Sequence, residues 1–377
     1  MVEVRAQRAS KPVSSRLPEF PWDRIAGYGE RARAHPDGIV DLSIGTPVDP
    51  TPTVVREALA AGADSPGYPA TAGRPETRRA ILDWLARRCG VIGATDASVL
   101  PLLGSKEAIS ALGVHLGLGP GDLVVQPSLA YPSYEVGAKL VGAEIVASDE
   151  PETLDRTPAL VWINSPSNPS GRVTSPERLR ELVTWARDAG VLLVSDECYV
   201  ECSWHDPATE QGPSSILHPD VCGDSHDGLL AVHSLSKRSN LAGYRCAFYA
   251  GDPAVVGELL EVRKNLGLMM PGPQQTAMVA ALDDDEHVVE QRHRYAARRA
   301  TMWRALEGVG FRIDHSEAAL YLWSTRDESC WDTMSWLAER GILAAPGAFY
   351  GTAGERHVRI AVTATDERIT AAAQRLA

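Results

Sequence analysis

The sequence predicts an α/β protein in two lobes: a large α/β/α domain on a mostly parallel sheet, and a small α+β domain. Three observations carry this. Short apolar runs alternate with helical stretches between residues 99 and 266. Several of those runs, such as Val191-Leu192-Leu193-Val194, are apolar at every position, as strands covered on both faces are. At 377 residues the chain is too long for one ordinary core. Met269-Met270-Pro271-Gly272-Pro273 breaks the pattern, which predicts a large domain over 46–270 and a small one made of 1–45 and 271–377.

The elements follow in order. Residues 1–20 read as a poorly ordered arm. A first helix is predicted over 22–34, with Ile25, Tyr28 and Ala32 at helical spacing, and a short strand over 39–44 ends in the turn Gly45-Thr46-Pro47. Helices are predicted over 53–61 and 76–90, the second amphipathic through Ile81, Leu82 and Leu85. The strand 99–103 runs through Gly104 into a helix opening at Ser105 and Lys106, where free backbone N–H groups can cradle an anion. Strands at 122–126, 144–146, 159–163 and 191–197 alternate with helices at 134–142 and 176–189. After a buried strand at 229–233 come a helix over 252–266 and a continuous helical stretch over 274–307. Its Arg-rich part, 291–304, reads as a solvated face. Strands at 311–313, 320–323 and 358–362 and helices at 332–340 and 366–376 build the small lobe.

Composition narrows the class. Apolar content of 44% and charged content of 23% are those of a soluble globular protein, and a net charge of −12 argues against nucleic acid as a partner. The six cysteines are scattered, which predicts reduced thiols. Cys198, Cys202 and His205 offer three ligands where a structural zinc site wants four, so no metal is expected. Residues 1–17 are polar and basic without an apolar core, and no apolar run is long enough to span a bilayer, so a cytoplasmic protein is expected.

The chemistry concentrates in Ser234-Leu235-Ser236-Lys237, followed by Arg245. A lysine at the end of a buried strand is unusual, because an unpaired buried ammonium is costly and burial frees the amine as a nucleophile toward carbonyls. Ser234, Ser236 and Arg245 together suit a phosphate. An amine beside a phosphate site points to a Schiff base with pyridoxal phosphate. Taken alone, the stretch reads equally well as a loop lysine with a solvated arginine beside it.

Five signals then line up: Gly104-Ser105-Lys106, Asn164-x3-Asn168-Pro169-x-Gly171, Asp196-x2-Tyr199, Ser234-x-Ser236-Lys237-x7-Arg245, and Arg359. In order and spacing this set resembles the class I/II aminotransferases of fold type I, over nearly the whole chain. The resemblance implies that Lys237 carries pyridoxal 5′-phosphate and moves the substrate proton, and that Asp196 pairs with the pyridine nitrogen. It implies that Asn168 and Tyr199 bond the cofactor's O3′, and that Tyr131, or its neighbour Tyr134, stacks on the ring. It sets the phosphate on Gly104, Ser105, Lys106, Ser234, Ser236 and Arg245. Tyr68 would reach the cofactor of a neighbouring subunit, which implies a homodimer with shared sites. Arg359 would grip the substrate α-carboxylate, with the Gly45 backbone closing over it. The implied substrates are an amino-acid donor and a 2-oxo acid acceptor.

A closer likeness lies in Phe20-Pro21-Trp22-Asp23, Gly45-Thr46-Pro47-Val48-Asp49-Pro50 and Gly67-Tyr68-Pro69-Ala70-Thr71-Ala72-Gly73. These resemble the actinobacterial N-succinyldiaminopimelate aminotransferases of lysine biosynthesis. Lys106 stands where many relatives have glutamine, and Cys246-Ala247-Phe248 where glycine is frequent. Three other readings share the cofactor residues: an aminotransferase of another amino acid, a C–S β-lyase, and a non-catalytic pyridoxal phosphate sensor, which the acidic chain and the lack of a helix-turn-helix module disfavour.

Overall fold

The computed structural model describes residues 12–205 and 212–377. The start of the arm expected over 1–20 therefore lies outside the described residues. The strands are β1 (Val40–Asp41), β2 (Val99–Leu103), β3 (Leu123–Gln126), β4 (Glu144–Ala147), β5 (Leu160–Asn164), β6 (Leu192–Asp196), β7 (Leu229–Ser234), β8 (Cys246–Gly251), β9 (Arg312–Ile313), β10 (Tyr321–Thr325), β11 (Ile342–Leu343), β12 (Ala345–Pro346) and β13 (Val358–Ala361). The large sheet runs in the order β2-β8-β7-β6-β5-β3-β4, parallel except for β8. The small lobe carries an antiparallel sheet in the order β12-β13-β10-β9, and β1 pairs with β11 beside it. This is the α/β fold with a small α+β lobe that the alternation predicted.

Side chains of the parallel strands divide between two cores. Val161, Leu193, Ala231 and Phe248 face one layer with Trp84 and Leu85, while Trp162, Val194, Val232 and Tyr249 face the other with Ile109 and Tyr134. Burial on both faces explains the absence of polar alternation in these runs. The helices over them carry their own stop signals. Pro176–Ala189 starts at Ser175, whose side chain accepts the Arg178 N–H, and ends at Gly190 in the left-handed region. Among the described residues no helix is long and apolar enough to cross a membrane.

Several elements differ from the sequence reading. The first helix begins as a tight 3-10 turn, Pro21–Ile25, and becomes α-helical only over Ala26–Arg33. The stretch read as one helix over 274–307 is two, Gly272–Asp283 and Glu286–Gly308. Asp284 ends the first, and its carboxylate accepts the Glu286 N–H at 2.9 Å to start the second. The first of these packs on Thr53–Ala61 and Pro75–Cys89 and adds Ala277, Met278 and Leu282 to the large core. We therefore place the lobe boundary between Asp283 and Glu286 rather than at residue 270. Strand β8, buried at all six positions, escaped the reading because it follows directly on the motif ending at Arg245.

The Arg-rich helix face is not simply solvated. Arg298 is buried and grips both oxygens of Asp49 at 2.6 and 2.7 Å, and Arg292 donates to the carbonyls of Ser203 and His205. The charge run holds the small lobe's long helix onto the segment that follows Gly45.

Candidate active site

In register, Asn164 of β5 pairs with Asp196 of β6, and Asp196 with Val232 of β7, so the carboxyl ends of three parallel strands lie side by side. Open parallel sheets bind ligands at that edge. A cavity of about 260 Å³ opens there, lined among others by Asp196, Lys237, Tyr131, Arg245, Tyr321 and Arg359.

Asp196 forms its floor. One carboxylate oxygen accepts the Tyr134 hydroxyl at 2.9 Å, the other the Cys198 N–H at 3.2 Å. Burial pushes its carboxyl above the usual range, and the bonds from Cys198 and Tyr134 only partly pull it back. A buried carboxylate so placed accommodates a cationic N–H. Asn164 braces the floor by donating to the Asp196 carbonyl at 2.8 Å and accepting the Asn168 N–H at 2.7 Å.

Lys237 lies on a one-turn helix, Leu235–Arg238, rather than at the strand end itself. It is half-buried, and its ammonium donates to the Gly45 carbonyl. Behind it, Ser234 donates to the Ser236 hydroxyl at 3.0 Å and accepts the Ser236 N–H at 3.2 Å. Arg245, in a left-handed backbone, crosses the face of Gly104, where an added Cβ would sit 2.0 Å from the guanidinium. Only glycine admits that approach, and its own φ of +90° suits no other residue. Ser105 opens the helix Ser105–His115, and Lys106 lines the cavity with its ammonium 5.6 Å from the Phe20 ring. Three hydroxyls, two cations and a helix N-terminus fit a phosphate. With the buried carboxylate of Asp196 at the other end, the residues present fit a phosphorylated pyridinium.

On the opposite side Arg359 enters from β13. It is 2% exposed, donates to Asn168 Oδ1 at 2.8 Å and to the Ser43 carbonyl at 2.6 Å, and lies over the Tyr321 ring at 4.0 Å. Its Nε has no hydrogen-bond partner among the described residues. Burial works against its charge, but the surrounding tyrosines, Tyr350 and Tyr321 foremost, leave the guanidinium more basic than usual.

The two tyrosine candidates separate. Tyr131 lines the cavity, whereas Tyr134 lies beneath it, stacked on Trp162 at 4.7 Å. Tyr199 lines the cavity too, its hydroxyl 2.7 Å from that of Tyr321. Tyr68 stands apart at 99% exposed and is not part of this chain's cavity. The other cofactor- and substrate-site residues singled out in the sequence line this cavity, except Gly104, which lies against Arg245. The structure adds Tyr321, Trp22 and Cys198 to the lining, none of which had been given a role at the cofactor or substrate. Cys198, the residue between Asp196 and Tyr199 that follows Glu197, was readable only as a possible metal ligand. Tyr321 and Trp22 read as a strand aromatic and a helix-start aromatic.

Residues 37–376 match the family described as aminotransferase class I and II. The chain is 58% identical over 361 residues to the 4-dedimethylamino-4-oxo-anhydrotetracycline transaminase OxyQ of Streptomyces rimosus, covering 96% of this chain and 99% of that one. Its fold superposes on an aminotransferase from Neisseria meningitidis with a TM-score of 0.88 at 31% identity, covering 97% of this chain and 98% of that one. It also superposes on the probable N-succinyldiaminopimelate aminotransferase of Thermus thermophilus with a TM-score of 0.84 at 27% identity, over 95% and 99% of the two chains. The chain belongs to the class I and II aminotransferases, enzymes of fold type I that work with pyridoxal 5′-phosphate.

Proposed function

We propose that this aminotransferase interconverts N-succinyl-L,L-2,6-diaminopimelate and 2-oxoglutarate with N-succinyl-2-amino-6-oxopimelate and glutamate. The observation that carries an amino-acid substrate is Arg359, a buried guanidinium with N–H groups to spare, across the cavity from Lys237. Both halves of a transamination present an α-carboxylate to the same cation. The succinylated donor is supported by the likeness of the Phe20–Asp23 and Gly45–Pro50 segments to that subgroup, and by the similarity to the Thermus thermophilus protein.

Bound pyridoxal phosphate supplies an electron sink for the carbanion at the substrate Cα. Asp196 would keep the ring nitrogen protonated, with Asn168 and Tyr199 as partners for its O3′. Tyr131 would pack on the ring, and Gly104, Ser105, Lys106, Ser234, Ser236 and Arg245 would hold the phosphate. Lys237 would move the proton at the substrate Cα. Tyr68, an aromatic ring left wholly exposed on one chain, reaches a second subunit's phosphate in a homodimer.

The holoenzyme's visible band tests this. L-Glutamate should bleach it and 2-oxoglutarate restore it, and N-succinyl-diaminopimelate should bleach it with a kcat/KM at least about tenfold above that of unsuccinylated diaminopimelate, the value of one well-placed contact. Release of pyruvate, ammonia and a thiol from a cystathionine-like thioether, with no bleaching by glutamate, would make the enzyme a β-lyase. A second reading, a bulky cyclic ketone as acceptor, is favoured by the 58% identity to OxyQ. Faster turnover with such a ketone than with 2-oxoglutarate would establish it.

A further inference from the structure

Tyr321 occupies a position that the roles above leave unexplained. It stands on β10, in the small lobe, with its ring under the Arg359 guanidinium at 4.0 Å and its hydroxyl 2.7 Å from that of Tyr199, which follows β6 in the large lobe. Both rings are buried, and they meet edge to face at 5.7 Å. The packing is built around the hydroxyl, since a Cβ at Gly45 would lie 2.3 Å from it. The same glycine's carbonyl accepts from Lys237.

We propose that Tyr321 is a positioning residue that donates its hydroxyl proton to Tyr199, and so links the carboxylate-binding arginine of one lobe to the O3′-facing phenol of the other. The direction of the bond follows from the charges around the pair. Burial opposes ionisation of Tyr321, but the Arg359 and Lys237 cations counter it and hold the phenol below its usual range, against a lesser push from Cys202. Burial and the neighbouring Tyr321 push Tyr199 well above its own. The more acidic phenol is the better donor. Tyr199 then accepts from Tyr321 and keeps its own proton for the cavity, and accepting one hydrogen bond strengthens the one it donates. A carboxylate on Arg359 offsets the charge that acidifies Tyr321, so substrate binding weakens the chain at its source.

The inference rests on the reading that Tyr199 faces the cofactor's O3′, and the test separates the two. The probe is the apparent pKa of the holoenzyme's visible absorbance band, measured by pH titration without substrate. Donation to O3′ drains electron density from the chromophore and lowers that pKa. Tyr199→Phe should therefore raise it by about one unit, and Tyr321→Phe by about half a unit in the same direction, as expected for losing a bond that only reinforces another. Tyr321→Phe keeps the ring under Arg359, so its KM for glutamate should move less than about twofold, well under the loss of a charge-assisted bond. Gly45→Ala displaces the hydroxyl without removing it and should shift the band in the same direction. A shift with Tyr199→Phe but none with Tyr321→Phe or Gly45→Ala overturns the inference and leaves the cofactor assignment standing. No shift with any of the three overturns both.

Discussion

Replacing Arg359 tests the substrate assignment most directly. A guanidinium carries five N–H donors. Two are taken, by Asn168 Oδ1 at 2.8 Å and the Ser43 carbonyl at 2.6 Å. That leaves the unpartnered Nε–H and one N–H on each terminal nitrogen, enough for a carboxylate held by two bonds. Each charge-assisted bond contributes about 1.5–3 kcal/mol, so Arg359→Leu should lower kcat/KM for L-glutamate by about 3–6 kcal/mol, roughly 10²–10⁴-fold. Arg359→Lys keeps the charge but not the fork, and should lose on the order of 10²-fold. Single-turnover bleaching of the holoenzyme's visible band by glutamate measures this. A simple alkylamine, which has no carboxylate, provides the internal control, because its slow reaction should be nearly unchanged. If Arg359→Leu stays within tenfold of the parent enzyme on glutamate, or loses equally on the alkylamine, the carboxylate is held elsewhere.

Two further predictions follow from local geometry. Gly104→Ala puts a Cβ 2.0 Å from the Arg245 guanidinium, so Arg245 must withdraw. Losing that charge-assisted contact should weaken pyridoxal phosphate binding by about 10–100-fold, read by quenching of tryptophan fluorescence in the apoenzyme. An unchanged affinity would remove Arg245 from the phosphate site. The second concerns Glu197 and His233, side by side at 3.4 Å with 1% and 2% of their side chains exposed. Burial raises Glu197 from 4.5 to about 7 and lowers His233 from 6.5 to about 3, so near pH 6 both are neutral and this is no ion pair. The Glu197 contribution to stability is present below pH 4.5 and lost as pH rises through about 7. The His233 contribution is present above pH 6.5 and lost as pH falls through about 3. Between pH 4.5 and 6.5 the two slopes oppose each other, so the parent enzyme's Tm should be nearly flat there, whereas Glu197→Gln should show a Tm that climbs with pH. A calorimetric profile of the variant as flat as the parent's would refute the neutral pair.

Much of this was legible in the sequence, and the reasons are physical. Strands β5, β6 and β7 are apolar at nearly every position because helices cover both faces, and such runs admit few other readings. Gly104, Asn168, Asp196, Lys237 and Arg245 were found because each sits at a strand end or turn with a fixed offset to another. Tyr321 was not, because its importance lies in what faces it across the lobes: Tyr199, 122 positions earlier, and Arg359 on the adjacent strand. An aromatic in a strand ordinarily reads as core, and this one is core as well. Tyr131 and Tyr134 could not be told apart until the helix Ser133–Val141 fixed which of them turned under Asp196. Strand β8 was lost to the glycine and tyrosine of the preceding motif, although its six residues are as buried as any in the sheet.

Arg298 shows what the charge pattern concealed. Counted along its helix it is one arginine among several, and a solvated face is the natural reading. In the fold its side chain is 4% exposed and Asp49's 10%. Removing Arg298 would leave Asp49 buried with only Gln291 donating to it, at a cost of about 3–5 kcal/mol, whereas Arg298 without Asp49 would keep Asp366 at 2.6 Å. Asp49 closes the segment that begins at Gly45, and Gly45 touches both Lys237 and the space filled by Tyr321. The grip on Asp49 therefore anchors the segment whose Gly45 lies between Lys237 of one lobe and Tyr321 of the other. Arg359 to Asn168 and Tyr321 to Tyr199 bridge the same seam. Neither lobe lines the whole cavity: the large one supplies Asp196, Lys237 and Arg245, the small one Tyr321 and Arg359. Three polar contacts of different strength cross that seam, one a buried ion pair at Asp49 and two on the neutral acceptors Asn168 and Tyr199, so it is held by charge at one end and by hydrogen bonds at the other.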